Sequence, residues 1–585
     1  MENEPRLQAT ADEFERLLRG ETIELSLEGW KSLCVLEDDE IVISNLLVEE
    51  NINLTNKYPY NIYLIGNTFL RDFFISSEAQ TGDFVIFGEA ITGFFMIFDN
   101  VKTGHFRIFG EAQMEGFNIY GEAQTGVFAI LGEARTFNFN IYGEAQTKSF
   151  VIFSKAQTGD FKISDKARTG GFKISEEAKT GDLQISGEAQ TGDLQIFGKA
   201  KTGDLQISDK VKTGDLQIFG EANMGHLQIS KHANLKTLYI SGKIEMGTLS
   251  IRDKACFDQI TIIDVQLGRV QFFGANLNGQ LKILNSKYDQ IEIKGDSSIK
   301  ADKISIESTQ VNILNFLNVQ ILETPVQISG VEPPKESKKT TYLQFTKSNF
   351  KTLDLINNKF DKFDFMVFED SNITGSFISQ TQFPEHIQSA DPEAGRNPHE
   401  YPKVNEDKDQ AKLFYEQIKT VYSKQGNRTE ALQYQAKELD IHFANLRWTF
   451  HFWDKLFWDK ITLGFHKYTT YFGTQWIRGF LFLIGSTTML YTFTLWSTEK
   501  VTWTWPWLMR WEDFRVYYTH YIEFLNPTTN LLWRWEYIYE LEGFKPNDTG
   551  KRLGSAVATW ILLSKVVIVT LIYQIVQAFR KFGRS

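Results

Sequence analysis

Several things are scarce in this 585-residue chain, and each scarcity excludes something. Only two cysteines occur, Cys34 and Cys256. That excludes a disulfide-stapled scaffold or a cysteine-rich zinc domain and suits a reducing compartment. Positive charge is in deficit: the net charge is −11, which argues against a nucleic-acid coat held by bulk basicity. Twelve prolines avoid the whole stretch from Tyr60 to Thr324, and of thirteen tryptophans only Trp30 precedes residue 448. The polar, acidic start MENEPRLQATADEF does not read as a secretory signal. Signs of catalysis are missing too: the nine histidines show no HExxH spacing, and no GxxxxGK[ST] or G-x-S-x-G motif occurs. The chain is read as a non-enzyme without a cofactor or metal.

What is abundant is repetition. Thr-Gly recurs at Thr81, Thr92, Thr103, Thr125, Thr158, Thr169, Thr180, Thr191, Thr202 and Thr213, always at multiples of eleven residues, and the best copies read TGDLQISGEAQ. Inside a unit, Leu183 and Ile185 alternate with Asp182, Gln184 and Ser186, the pattern of a half-buried strand. The remainder, Gly187 to Gly192, has turn chemistry. A right-handed helical coiled coil also has an eleven-residue period, but these glycines and β-branched residues oppose it. One strand and one turn per unit, stacked many times, predicts a parallel β-solenoid.

Charge sets the number of units per coil. Coils of twenty-two residues give the columns Glu133–Lys155–Glu177–Lys199–Glu221 and Glu144–Lys166–Glu188–Lys210–His232, alternating in sign, whereas coils of eleven would stack Lys155 on Lys166. Two repeats per coil are therefore expected, although Glu111, Glu122, Glu133 and Glu144 stack like charges under either count. The first inward slot runs from Phe84 through Phe172 and then becomes leucine from Leu183 to Leu216, a core ladder. A second stripe, Phe87, Phe98, Phe109, Tyr120, Tyr142 and Phe153, is placed at a corner or outside. Strand-like sequence continues to about residue 380 with the eleven-residue register lost, and Ala11–Arg19 reads as a closing helix with Thr10 as N-cap.

The C-terminal third is a different material. The expected order is a capping segment at 1–21, the solenoid at 22–380, a proline-punctuated linker at 381–404 and a helical hairpin at 405–446. An aromatic- and lysine-rich interfacial segment at 447–475 follows, then a transmembrane helix at 476–496, an outer or re-entrant loop at 497–552, a second transmembrane helix at 553–580 and a tail at 581–585. Arg580, Lys581 and Arg584 place the C-terminus, and with it the solenoid, on the cytoplasmic side of a bacterial inner membrane by the positive-inside rule.

On the second span, Ser555, Thr559, Thr570, Gln574 and Gln577 fall within roughly 100° of helix surface, a stripe that suits a wet pore wall or helix–helix bonding. Lys565 lies off that stripe and needs an acid, a carbonyl or water; facing water, it would favour anions. These six are the pore-lining candidates. Two spans cannot enclose a pore alone, so a channel requires a homo-oligomer, most simply four-fold. The loop has no TVGYG-like filter. Basic residues on later repeats, Lys162, Arg168, Lys173, Lys179, Lys201 and Lys212, are candidates for an oligonucleotide or nucleotide ligand.

The segment LFYEQIKTVYSKQGNRTEALQYQAKELD, FLNP at Phe524–Pro527 and the terminal QAFRKFGR give the last third a resemblance to bacterial pentapeptide-repeat-like membrane proteins with a two-helix, channel-like C-terminus. The solenoid departs from that family, having eleven residues per unit where the family has five. The layout also resembles antiphage channel effectors of the Hailong type, whose channel a DNA oligomer holds shut. The resemblance implies an oligomeric ion channel that the solenoid insulates or gates. The alternative is a membrane-anchored scaffold on which the solenoid offers a surface to a protein partner.

Overall fold

The computed structural model describes residues 7–19, 34–37, 40–44, 46–58, 60–66, 69–295, 301–321, 323–335, 339–390, 404–405, 408–447, 453–498, 510–512, 515, 521–528 and 555–582. They form two compact units, residues 1–406 and 407–585.

The first unit is a parallel β-solenoid of about 15 turns. Phe84 pairs with Phe106, Phe106 with Phe128 and Phe128 with Phe150, so a coil is 22 residues and carries two of the eleven-residue units. Alternate units feed alternate sheets: Gln113–Ile119 and Arg135–Ile141 lie in one, Gln124–Ile130 and Gln146–Ile152 in the other. The core lies between them. Each phenylalanine stacks on the next in its own column, as Phe106 on Phe128 at 4.9 Å, and meets the opposite column edge-on, as Phe117 on Phe128 at 4.5 Å and 74°. Both arrangements match the ring quadrupole. Once leucine replaces phenylalanine at Leu183, the slot stays buried through Leu194, Leu205 and Leu216.

The Gly-Asp dipeptide of the repeat is an interlock between coils. The Asp182 carboxylate accepts the Asp204 N–H at 2.7 Å, and Asp204 in turn accepts the His226 N–H at 2.7 Å. That carboxylate occupies the space a side chain would take on the following coil: a Cβ on Gly203 would lie 2.1 Å from Asp182 Oδ1, and one on Gly225 2.1 Å from Asp204 Oδ1. Each aspartate therefore serves the coil after it, while the glycine before it makes room for the coil behind.

The predicted charge columns form. Lys155 meets Glu133 at 3.2 Å, Lys166 meets Glu144 at 3.1 Å and Lys210 meets Glu188 at 3.3 Å. All are well exposed, so each contributes little singly. The second aromatic stripe is outward: Phe98, Tyr120 and Tyr142 stack at 5.5 Å intervals half-buried, while Phe87 is 51% exposed. Beyond residue 252 the eleven-residue register is lost, as the sequence predicts, yet the stacking is kept. Pairing continues without a break in one sheet as Leu249–Val270–Ile291–Leu314–Leu343–Met366, while the step varies between 21 and 29 residues. Corner loops absorb the insertions, because only the strand faces must stack.

At the first end, Ala11–Leu18 (α1) starts in a capping box in which Thr10 and Glu13 bond reciprocally. It buries Phe14, Leu17 and Leu18, and Phe14 meets core Phe73 edge-on at 5.9 Å. At the other end strand structure reaches into the expected linker, where Ile387–Ala390 pairs antiparallel with Val404–Asn405.

Candidate functional site

In the second unit, Lys408–Lys424 (α2) and Arg428–Asn445 (α3) form the expected hairpin. Its turn follows from Gly426 at φ +77°, which lets Asn427 N–H reach Tyr422 O at 3.0 Å and Gly426 N–H reach Ser423 O at 3.2 Å. Asn427 then caps α3 by accepting the Glu430 N–H at 3.3 Å. Lys419 and Glu438 bridge the two helices at 2.6 Å. Stacking of Tyr422 on Tyr434 at 5.6 Å fills the seam, and burial pushes the Tyr422 hydroxyl up to about 12.

Within the interfacial segment, Lys455–Thr470 (α4) is a helix capped by Asp454, whose carboxylate accepts the Leu456 N–H. Trp448 lies outside the described residues. The lysines here turn toward the hairpin, which was not foreseen: Lys460 is buried and donates to Leu446 O, and Lys467 pairs with Asp440 at 2.5 Å. Trp453, Trp458 and Tyr468 remain exposed. Three consecutive left-handed residues, Tyr471, Phe472 and Gly473, reverse the chain into Trp476–Trp496 (α5).

α5 and Ser555–Phe582 (α7) are long and apolar enough to cross a membrane by length and composition. They pack through Leu483, Tyr491, Leu495, Val557, Ile561, Ile568 and Leu571. A short helix, Tyr521–Leu525 (α6), lies against both. The Tyr521 hydroxyl bonds the Thr487 and Thr488 hydroxyls at 2.7 and 2.9 Å, and Phe524 is fully buried against Tyr491 at 4.8 Å. Lys565, ten residues into α7, donates to Phe524 O at 3.1 Å and to Asn526 O. The cation thus sits at the carbonyl end of α6, where the unpaired C=O groups and the helix dipole favour it. Asn526 Oδ1 accepts from the Thr528 N–H at 3.0 Å and from its hydroxyl at 2.8 Å, closing a turn about Pro527. This explains physically why FLNP stands where it does. Of the loop tryptophans, Trp511 is described; Trp503, Trp505, Trp507, Trp533 and Trp535 lie outside the described residues.

The six pore candidates do not share one wall. Lys565 and Gln574 are buried inside the helix cluster, Gln574 within 3.2 Å of His466 on α4. Ser555, Thr559, Thr570 and Gln577 lie on the outer side or its margin; Thr559 and Thr570 donate to the carbonyls one turn back, Ser555 O and Val566 O, both at 2.7 Å. What sequence reasoning missed is the set Tyr521, Phe524 and Asn526. The available signal was that an apolar helix carrying one lysine must supply that lysine with acceptors.

The six basic candidates on the solenoid divide between its faces. Lys162, Lys179 and Lys201 belong to one sheet, and Arg168, Lys173 and Lys212 to the other. Lys179 and Lys201 are direct neighbours, while Lys162 lies over Tyr142 at 5.9 Å and Lys173 over Phe197 at 5.1 Å. A groove of about 1060 Å³ lies further along the axis, and its lining mixes Lys243 and Lys287 with Glu245, Asp264 and Asp289. Among the described residues no group of three His, Cys, Asp or Glu side chains is placed to hold a metal ion. The chain matches no family model, no curated protein and no solved structure.

Proposed function

We propose that this protein is a membrane-anchored β-solenoid, with the coils displayed as a repetitive surface and the C-terminal helices serving as a two-span anchor. One observation carries the reading: the helix cluster is inside-out. Its outward faces expose Leu481 at 64%, Leu562 at 66% and Val566 at 58%, while the charge of Lys565 and the amide of Gln574 are folded inward onto protein partners. In water that distribution is unfavourable; against acyl chains it is the stable one. The lengths agree. α5 is about 31 Å long and the apolar part of α7 about 39 Å, against a hydrocarbon layer of about 30 Å. The segment ending in FLNP then lies at mid-depth, with the Phe524 and Asn526 carbonyls accepting from Lys565, as backbone in a bilayer requires. Alkaline carbonate extraction of membranes tests the anchor: the full chain stays in the pellet, and its release into the supernatant overturns the reading.

A second reading, an oligomeric ion channel, is favoured by Ser555, Thr559 and Thr570. These give the outer side of α7 a polar edge where a neighbouring copy could complete a wet wall. Mass measurement in detergent with planar-bilayer recording tests it, and a monomer without conductance ends it.

A further inference from the structure

The hairpin and the end of α7 together enclose a cavity that neither reading uses. It has a volume of about 550 Å³ and is lined by Lys419, Ser423, Arg428, Gln435, Gln577 and Arg580 among others. Three of these are cations. Glu438 neutralises Lys419, but among the described residues Arg428 and Arg580 have no carboxylate partner. Two unpaired guanidinium groups and two side-chain amides around one concavity are donors waiting for a compact oxyanion, and planar bidentate N–H pairs fit phosphate oxygens best. Among the described residues no acidic side chain lines the cavity.

Depth identifies the phosphate. Resting on the two-span anchor proposed above, α7 exceeds the hydrocarbon layer by several ångströms, and Arg580 is the last residue of its apolar span. The cavity then opens at the level of the lipid headgroups, where basic pockets beside transmembrane helices capture anionic lipids. We propose that this cavity binds the phosphate of an anionic phospholipid, with Arg428 and Arg580 as the charge-pairing groups and Gln435 and Gln577 as neutral donors. Occupancy would tie the hairpin to the end of the second span.

The test uses the full chain in nanodiscs of phosphatidylglycerol mixed with phosphatidylcholine, with bound lipid counted by native mass spectrometry. Two basic groups at a membrane surface give a preference for phosphatidylglycerol of about thirtyfold. The Arg428→Gln/Arg580→Gln variant should bring it close to parity, whereas Lys408→Gln, an exposed lysine outside the cavity, should leave it unchanged. Inorganic phosphate is titrated into the same samples. Displacement of the preferred lipid by millimolar phosphate supports the phosphate-binding assignment, whereas phosphate binding to wild type and not to the variant, with no phosphatidylglycerol preference, overturns the lipid in favour of a free phosphoanion. No phosphatidylglycerol preference and no phosphate effect, in protein that still resists carbonate extraction, overturns the cavity assignment while leaving the anchor standing. Extraction by carbonate overturns both.

Discussion

The Gly-Asp interlock makes a quantitative prediction at Gly225. Alanine there would place its Cβ 2.1 Å from Asp204 Oδ1, a distance that carbon and oxygen cannot share, while the next nearest atoms, Asp204 Cγ and N, stand at 3.3 Å. The carboxylate must therefore rotate away and release the His226 N–H that it accepts at 2.7 Å. A lost hydrogen bond to a charged group costs about 1.5–3 kcal/mol, and the half-exposed setting of Asp204 puts the cost near the lower end, about 1.5–2 kcal/mol. Asp204→Ala alone loses the same bond and should cost about as much. The double variant is the decisive case. With the carboxylate gone, the new methyl group has room, and alanine in place of glycine recovers about 0.4–1 kcal/mol from the unfolded chain. The two changes together should cost no more than either alone, so the cycle should show a coupling of about 2 kcal/mol. Because solenoid coils open locally, the readout is hydrogen exchange of peptides covering Asn223–Ile229 in the full chain. Additive costs, or a neutral Gly225→Ala, would refute the interlock.

Reversing one charge in a column, Lys166→Glu, should raise local exchange around the coil at low salt, and the effect should vanish at high salt, since the Glu144 contact is exposed. Thr169→Val should leave its coil as stable or stabilise it by about 1 kcal/mol, because the Thr169 hydroxyl is buried without a partner among the described residues; slower exchange of Arg168–Ile174 would show it. Hydrogen bonds from the Thr10 backbone and hydroxyl hold the Glu13 carboxyl below its ordinary value, so its contribution to α1 is complete above the ordinary glutamate range. That contribution is lost as pH falls through the lowered native value, and the protection of Ala11–Leu18 amides, corrected for their intrinsic exchange rates, should fall there. Replacing Lys565 with leucine removes the lysine's hydrogen bonds to the Phe524 and Asn526 carbonyls inside the helix cluster. In detergent solution, hydrogen exchange of a peptide covering residues 521–528 should then speed up by about tenfold or more, the effect of losing at least one buried hydrogen bond to a charged group.

The repeat shows why so much of the first unit was legible in the sequence. In a solenoid a residue's neighbours are its own kind one coil away, so a one-dimensional offset of 22 carries the three-dimensional contact. Alternating Glu133, Lys155 and Glu177 revealed the coil length before any coordinate, and the phenylalanine-to-leucine slot named the core. Beyond residue 252 the eleven-residue spacing no longer predicts which residues pair, because the fold conserves only the stacking of strand faces. Leu314 and Leu343 pair across 29 residues as well as Phe84 and Phe106 do across 22.

The helical third followed another rule. Composition alone settled that residues 476–496 and 555–580 are apolar enough to cross a membrane, and Gly426-Asn427 marked the hairpin turn. Which way each polar side chain turns was decided only by packing. Lys565 finds its acceptors 39 and 41 residues upstream, Gln574 meets a histidine 108 residues away, and the cations of the 550 Å³ cavity come from three different helices. No fixed sequence offset encodes those distances. A stacked coil repeats its environment, while a helix cluster builds each environment once, from segments that only the folded chain brings together.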